Sequence, residues 1–286
     1  MESSLICPTC GNSMRYIRGQ KHIACALNHH FDEAKEGYLN LLLSHQKNSR
    51  QPGDSKEMLQ ARRRFLEAGH YKPVADKISQ IIESLCTDHA LRNIHSLLDI
   101  GCGEGYYLRY IKKYLSEVHA SSDIIYWGID ISKEAVKMAA RSSSDQNWLV
   151  GNNFILPFPN ESLDCLLSVF SPVSVDACAR VLAKKGFFIQ VYPFEDHLEV
   201  LKQKIYNGST KEKDYLKYLN APPGFTLIKS EKINYCVPLA QEAIVDLLQM
   251  TPHYWRVSET RRSELIAQSY GEMRISMGIV VYQKEA

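Results

Sequence analysis

Residues 97–107 read LLDIGCGEGYY, an apolar run that passes straight into a glycine-rich turn and then into the start of a helix. Glycine is needed where backbone turns tightly, or where a ligand must approach the chain with no Cβ in the way. Gly101, Gly103 and Gly105 are spaced two apart, whereas the dinucleotide fingerprint requires its third glycine at 106, where Tyr106 stands. The turn therefore speaks for a nucleotide cofactor and against a pyridine dinucleotide. Asp99 closes the first strand, where its carboxylate can meet a cationic ammonium. Asp130 closes the next in WGIDIS, and its two oxygens match the vicinal diol of a ribose.

Working outward, strand and helix patterns alternate. Ile78, Ile81, Ile82 and Leu85 recur at helical spacing ahead of a strand at Ser96 to Ile100, and β-branched or aromatic runs return at Ile124 to Asp130, Asn147 to Val150, Cys165 to Phe170 and Phe187 to Tyr192. Alternation of this kind predicts an α/β fold, a parallel, doubly wound Rossmann-like sheet covered on both faces. Two later strand-like runs, Thr226 to Cys236 and Ile275 to Gln283, flank an apolar helix at Ala240 to Met250.

The N-terminal end reads differently. Cys7 and Cys10 form CPTC, and Cys25 follows after fourteen intervening residues with His29 and His30 close behind it. Three thiolates and one imidazole at these spacings can close a tetrahedral shell around Zn²⁺, with either His29 or His30 as the fourth ligand; His22 fits poorly. Four protein ligands leave no position for water, so the ion is read as structural. A stretch this short cannot build an adequate core, and metal binding supplies the missing folding free energy. The other cysteines sit singly in apolar segments and read as small core residues.

Between the two regions, residues 36–72 hold a short apolar strand-like piece, a Pro-Gly-Asp turn and an amphipathic helix carrying the basic run Arg62, Arg63 and Arg64. That run is either a solvated helix face or a set of phosphate contacts, which guanidinium forks make well. Pro73 ends the segment. The expected organisation is a zinc-binding module at 1–35, a connector with a basic helix at 36–72, and a cofactor-binding α/β domain at 73–286.

With 286 residues, 45% of them hydrophobic and 23% charged, the chain matches a globular protein and excludes collagen-like and disordered classes. No apolar run approaches a bilayer span and no secretory signal is visible, so a cytoplasmic protein without a membrane partner is expected. Residues 1–72 hold 11 Lys and Arg against 7 Asp and Glu, an excess the remainder of the chain does not share. This asymmetry favours an anionic partner for the N-terminal part.

The glycine turn, Asp130 and the strand-turn-helix context together resemble class I S-adenosylmethionine-dependent methyltransferases. Asn152 and Asn153, followed by LPFPNESLD, look like the segment that edges the adenine, and Asp164 to Pro172 like the strand beside the methyl group. Over nearly the whole chain, CPTC, CALNHHFD, AKEGYLNLL, PGDSKEMLQARRRFLEAGHY, LDIGCGEGYY and LLQMTPHYW make it similar to the RlmA-type 23S rRNA guanine-N1 methyltransferases. The resemblance implies a structural zinc with His29 as fourth ligand, bound S-adenosylmethionine, and a homodimer that grips a hairpin of 23S rRNA. It also implies cofactor contacts from Tyr71 and His197. The cofactor-binding set is then Tyr71, Asp99, Gly101, Gly103, Glu104, Gly105, Tyr106, Asp130, Asn152 and His197. Asp54, Glu104 and His197 can be weighed as acceptors of the guanine N1 proton, but nothing in their spacing selects one. The family divides by which of two neighbouring guanines is modified. A methyltransferase for a small molecule and a zinc-ribbon RNA-binding protein without turnover are the alternatives.

Overall fold

The computed structural model describes residues 2–17, 19–46, 52–88, 93–118, 123–206, 216–251, 254–268 and 270–286. Of the segments that carry the resemblance, part of LLQMTPHYW, residues 252 and 253, lies outside them.

The chain opens with two small antiparallel hairpins, β1 (Glu2–Ile6) with β2 (Ser13–Ile17) and β3 (His22–Ala24) with β4 (His30–Asp32). Strand β5 (Tyr38–Asn40) then leaves the hairpins and joins the large sheet. Helices α1 (Lys56–Glu67) and α2 (Lys72–Thr87) follow. Ser55 caps α1, its hydroxyl accepting the Met58 N–H at 3.3 Å. Pro73 sits in the first turn of α2, where its missing N–H costs nothing, so it starts a helix as well as closing the segment before it.

The α/β part runs β6 (Ser96–Ile100), α3 (Tyr106–Val118), β7 (Ile125–Asp130), α4 (Lys133–Ser142), β8 (Asn147–Val150), β9 (Leu163–Val169), α5 (Val175–Val181), β10 (Leu182–Pro193) and α6 (Glu199–Tyr206). It closes with β11 (Phe225–Pro238), α7 (Gln241–Gln249), α8 (Glu259–Ala267) and β12 (Glu272–Lys284). One eight-stranded sheet results, in the order β11-β12-β10-β9-β6-β7-β8-β5. It is mostly parallel, as the alternation predicts. The exception is β12, which returns from α8 and inserts antiparallel between β10 and β11.

Two cores flank the sheet. On one face α2, α3, α4 and α7 cover residues such as Leu97, Trp148, Leu167 and Ile189. The opposite face is not purely helical. No helix stands between β8 and β9 among the described residues, and the zinc-binding hairpins fill the space: Leu5, Met14, Tyr16 and Ile23 share a core with Trp127, Leu149 and Phe158. Tyr16 meets Trp127 with ring centroids 5.5 Å apart, and the Ile6 N–H donates to the Pro157 carbonyl at 2.9 Å. The small module is thus stabilised by the sheet it covers as well as by its ligand set.

Candidate functional site

Two turns bring the N-terminal ligands together. In the first, the Cys7 N–H donates to the Asn12 carbonyl and the Gly11 N–H to the Cys7 carbonyl; in the second, the Asn28 N–H donates to the Cys25 carbonyl, with Asn28 left-handed at φ 63°. Cys7 Sγ lies 3.7 Å from His29 Nδ1, Cys25 Sγ 3.3 Å from the same nitrogen, and Cys10 Sγ 3.6 Å from Cys25 Sγ. All four ligand atoms fall within 4.8 Å of one another. Donors about 2.0–2.3 Å from a common tetrahedral centre would be separated by edges of this size, so the set fits Zn²⁺. Burial pushes the Cys25 thiol up, but the backbone N–H groups of His29 and Leu27 and its side-chain neighbours outweigh it and bring it down to about 6, which favours the ligating thiolate. His30 turns away, its Nε2 at 2.8 Å from Asn28 Oδ1, and the geometry selects His29.

A cavity of about 850 Å³ opens at the C-terminal ends of β6 to β10, lined also by α1, by His45, Gln46, Gly53 and Asp54, and by the end of α7. The C-terminal edge of a parallel sheet is where an α/β fold binds ligands, because successive loops diverge there. Tyr71, Asp99, Gly101, Gly103, Glu104, Tyr106, Asp130, Asn152 and His197 all line it. Gly105 does not. A Cβ there would lie 2.5 Å from the Trp148 ring, so this glycine serves the packing of α3 on the sheet.

The fine geometry shows what the cavity can take. Gly101 and Gly103 have φ of 75° and 55°, and a Cβ on Gly101 would stand 1.9 Å from Ser171 Oγ. The Asp130 carboxylate accepts from the Gly103 N–H at 2.9 Å and the Ser132 N–H at 2.8 Å, which fixes its orientation with lone pairs to spare for a sugar. Asp99 is buried with both oxygens unpartnered. Burial, with the Asp130 charge beside it, pushes its carboxyl up to about 8. A buried carboxylate without a donor is costly, and a cationic ligand would supply one. Asn153 Nδ2 donates to Ser171 Oγ at 3.0 Å, leaving its own Oδ1 buried and free. An adenosyl group with an ammonium and a sulfonium matches this acid-lined, glycine-floored cradle.

Three further features were not evident in the sequence. Arg62 lines the cavity, 3.6 Å from where a Cβ of Gly103 would lie, and pairs with Asp54 at 2.6 Å. Arg63 donates to Ser142 Oγ at 2.5 Å, and Arg64 grips Asp246 through Nε and Nη2 at 2.5–3.1 Å. The three side chains of the basic run thus differ: α1 lies against α7, α3 and α4, Arg62 turns into the cavity, and Arg63 and Arg64 stay partly exposed while pairing with Ser142 and Asp246. Of the groups weighed as proton acceptors, His197 has both ring nitrogens engaged, by the Ser276 N–H and the Tyr71 hydroxyl. Glu104 is buried and held by Arg109 at 3.1 Å, and Asp54, about one-third exposed on the wall, is held by Arg62 at 2.6 Å, so the geometry singles out none of the three.

Fold, cradle and tetrahedral ligand set define a class I S-adenosylmethionine-dependent methyltransferase carrying an N-terminal zinc ribbon. A family model described as "RlmA, N-terminal" matches residues 5–50, and one described as "Methyltransferase domain" matches residues 98–190. A Bacillus subtilis (strain 168) protein named "Putative 23S rRNA (guanine-N(1)-)-methyltransferase YxjB" is 30% identical over 97% of this chain and 96% of its own length. The "23S rRNA (guanine(748)-N(1))-methyltransferase" of Streptomyces fradiae is 25% identical over 96% of this chain and 94% of its own. The chain belongs to the RlmA-type family of rRNA guanine-N1 methyltransferases.

Proposed function

We propose that this protein transfers the methyl group of S-adenosylmethionine to N1 of a guanine in a hairpin loop of 23S rRNA, at one of two neighbouring positions, in the cytoplasm and as a homodimer. The observation that carries the reading is the end-to-end match to relatives with that named activity, which spans both the zinc ribbon and the cavity. In this reading residues 1–35 recognise RNA, residues 73–286 carry the reaction and residues 36–72 join them, with β5 fastening the junction to the sheet. No helix among the described residues is long and apolar enough to cross a membrane.

Bound S-adenosylmethionine supplies an electrophilic methyl on sulfur. What the protein adds is orientation and exclusion of water, since attacking nitrogen, methyl carbon and sulfur must lie in line. Asp130 would hold the ribose, Asp99 the ammonium and Arg62 the carboxylate, while Gly101 and Gly103 keep the floor clear. Asn152 and Asn153 edge the adenine, and Tyr71 with His197 close the side nearest β9 and β10. N1 sits on the pairing edge of guanine, so the base must be unstacked to reach the cavity. The N1 proton would leave to solvent on methyl transfer, and no side chain on the wall stands out as its acceptor.

Purified protein, methyl-labelled S-adenosylmethionine and 23S rRNA from cells lacking this modification test the reading. Label recovered as 1-methylguanosine from a large-subunit hairpin supports it. Label confined to small acceptors, or cofactor and RNA binding with no transfer, overturns it.

A further inference from the structure

Exposed large apolar side chains are scattered over most of the described surface, but three gather at the rim of the cavity. They are Phe154, Ile155 and Phe170, with relative exposures of 52%, 55% and 41%. Such a cluster beside a polar cradle marks a place where something apolar is bound.

Phe170 carries the stronger signal. It has φ of 55°, a left-handed conformation that is a true outlier for a bulky residue and persists only where the surroundings impose it. Here they do. The Phe170 N–H donates to the Val191 carbonyl at 3.1 Å, Ser168 Oγ donates to the Ser171 carbonyl at 3.0 Å, and Asn153 pins Ser171 from β8. Leu198, on the neighbouring loop after β10, is also left-handed at φ 52° and also lines the cavity. Strain is thus held on both loops that border this side of the site.

The ring is backed on one side. Phe170 lies nearly parallel to the His197 imidazole, at 23° with centroids 6.0 Å apart, and Tyr71 stands tilted behind it at 6.4 Å. Phe170 follows β9, whereas Asp130 and Asn152 follow β7 and β8, on the other side of the glycine turn after β6. The nucleoside half of the cofactor therefore belongs away from this ring.

We propose that Phe170 is the platform on which the unstacked target base lies, its ring set nearly parallel to the His197 imidazole and sharing the cavity rim with Phe154 and Ile155. The inference rests on the proposed function. A base taken out of its helix loses its stacking partners, and an aromatic face replaces them. Stacking tolerates any base, so Phe170 contributes affinity and in-line orientation while the choice of guanine falls to polar groups.

The test uses the full chain, an unmodified 23S hairpin, and the same hairpin with 2-aminopurine at the target position. Stacking on an aromatic side chain is worth enough that Phe170→Leu should lower kcat/KM for RNA about 5- to 150-fold, while the calorimetric Kd for S-adenosylmethionine stays at the wild-type value. The 2-aminopurine emission, quenched on wild-type protein, should remain high on Phe170→Leu, and Phe170→Trp should restore both quenching and rate. Unchanged kcat/KM in Phe170→Leu, or a loss of rate that follows cofactor affinity with the emission still quenched, overturns the inference alone. Absence of methyl transfer by the wild-type protein overturns the proposed function and this inference with it.

Discussion

Tyr71 and His197, 126 residues apart in the chain, meet at 3.3 Å between hydroxyl and Nε2 on the cavity wall. The Ser276 N–H donates to Nδ1 of the same imidazole, so that nitrogen is an acceptor and Nε2 carries the hydrogen. Tyr71 oxygen accepts it, so the tyrosine's own hydrogen is not used by His197. Burial of the ring, reinforced by the Lys202 charge, holds the His197 pKa down at about 3 and keeps the relay neutral.

Two consequences follow from that relay. Loss of one neutral hydrogen bond is worth about 0.5–1.5 kcal/mol, so Tyr71→Phe should weaken S-adenosylmethionine binding about 2- to 12-fold by calorimetry. His197 takes up its proton far more readily when unfolded, near 6.5, than when folded. Its contribution to stability is therefore complete above about pH 6.5 and is lost as pH falls towards 3. The urea midpoint of the wild type should drop across that window, and His197→Gln should drop less; equal slopes would place the ring outside the core.

Asp99 has the opposite linkage. Its folded pKa of about 8 lies above the usual carboxylate value, so its contribution is present at low pH and is lost as pH rises through about 8. Ligand-free protein holds Asp99 mostly protonated at pH 7, and an ammonium bound against it would expel that proton. Calorimetry at pH 7 in buffers of different ionisation enthalpy should show close to one proton released per S-adenosylmethionine for the wild type. Asp99→Asn should release none; the same release from both proteins would take Asp99 out of the site.

Two neighbouring glycines should respond unequally to alanine. At Gly101 a Cβ would collide with Ser171 Oγ at 1.9 Å, whereas at Gly103 the nearest atom is Arg62 Nη1 at 3.6 Å. Both pay for a left-handed conformation, about 1–2 kcal/mol each. Gly101→Ala should therefore abolish cofactor binding and lower Tm further than Gly103→Ala, which keeps a measurable Kd. The reverse order would mean that the floor of the cavity lies elsewhere.

Removal of zinc should be felt in the sheet. Cys7→Ser with Cys10→Ser is expected to bring bound zinc from one ion per chain to near zero. It should also lower Tm, because Tyr16 and Met14 cover Trp127 and its neighbours. Full zinc retention would contradict the tetrahedral set.

Much of this was legible in the sequence, for physical reasons that can be named. LLDIGCGEGYY announces its strand, turn and helix because each step depends on local chemistry, and the CPTC and CALNH spacings depend on turns no longer than four residues. Arg62 to Arg64 could not be read in the same way. Whether a guanidinium faces solvent or a carboxylate depends on Asp54, Glu104 and Asp246, which only the packing of α1 brings near. The antiparallel insertion of β12 and the use of the zinc ribbon as a layer over Trp127 are likewise tertiary choices with no local signal. Phe170 was legible only as the end of the strand run from Cys165, and its left-handed φ was not, because such a conformation at a phenylalanine is imposed from outside.

The central claim is that one cavity, gripping an adenosyl sulfonium through Asp130, delivers its methyl to guanine N1 in 23S rRNA. Reverse transcription across the large-subunit rRNA of the source organism tests it most directly, since a methyl on N1 blocks pairing. A strong stop in a hairpin loop should be present in the wild type, absent when the gene is deleted, restored by the intact gene and not by Asp130→Ala. A stop that persists unchanged in the deletion strain would contradict the account.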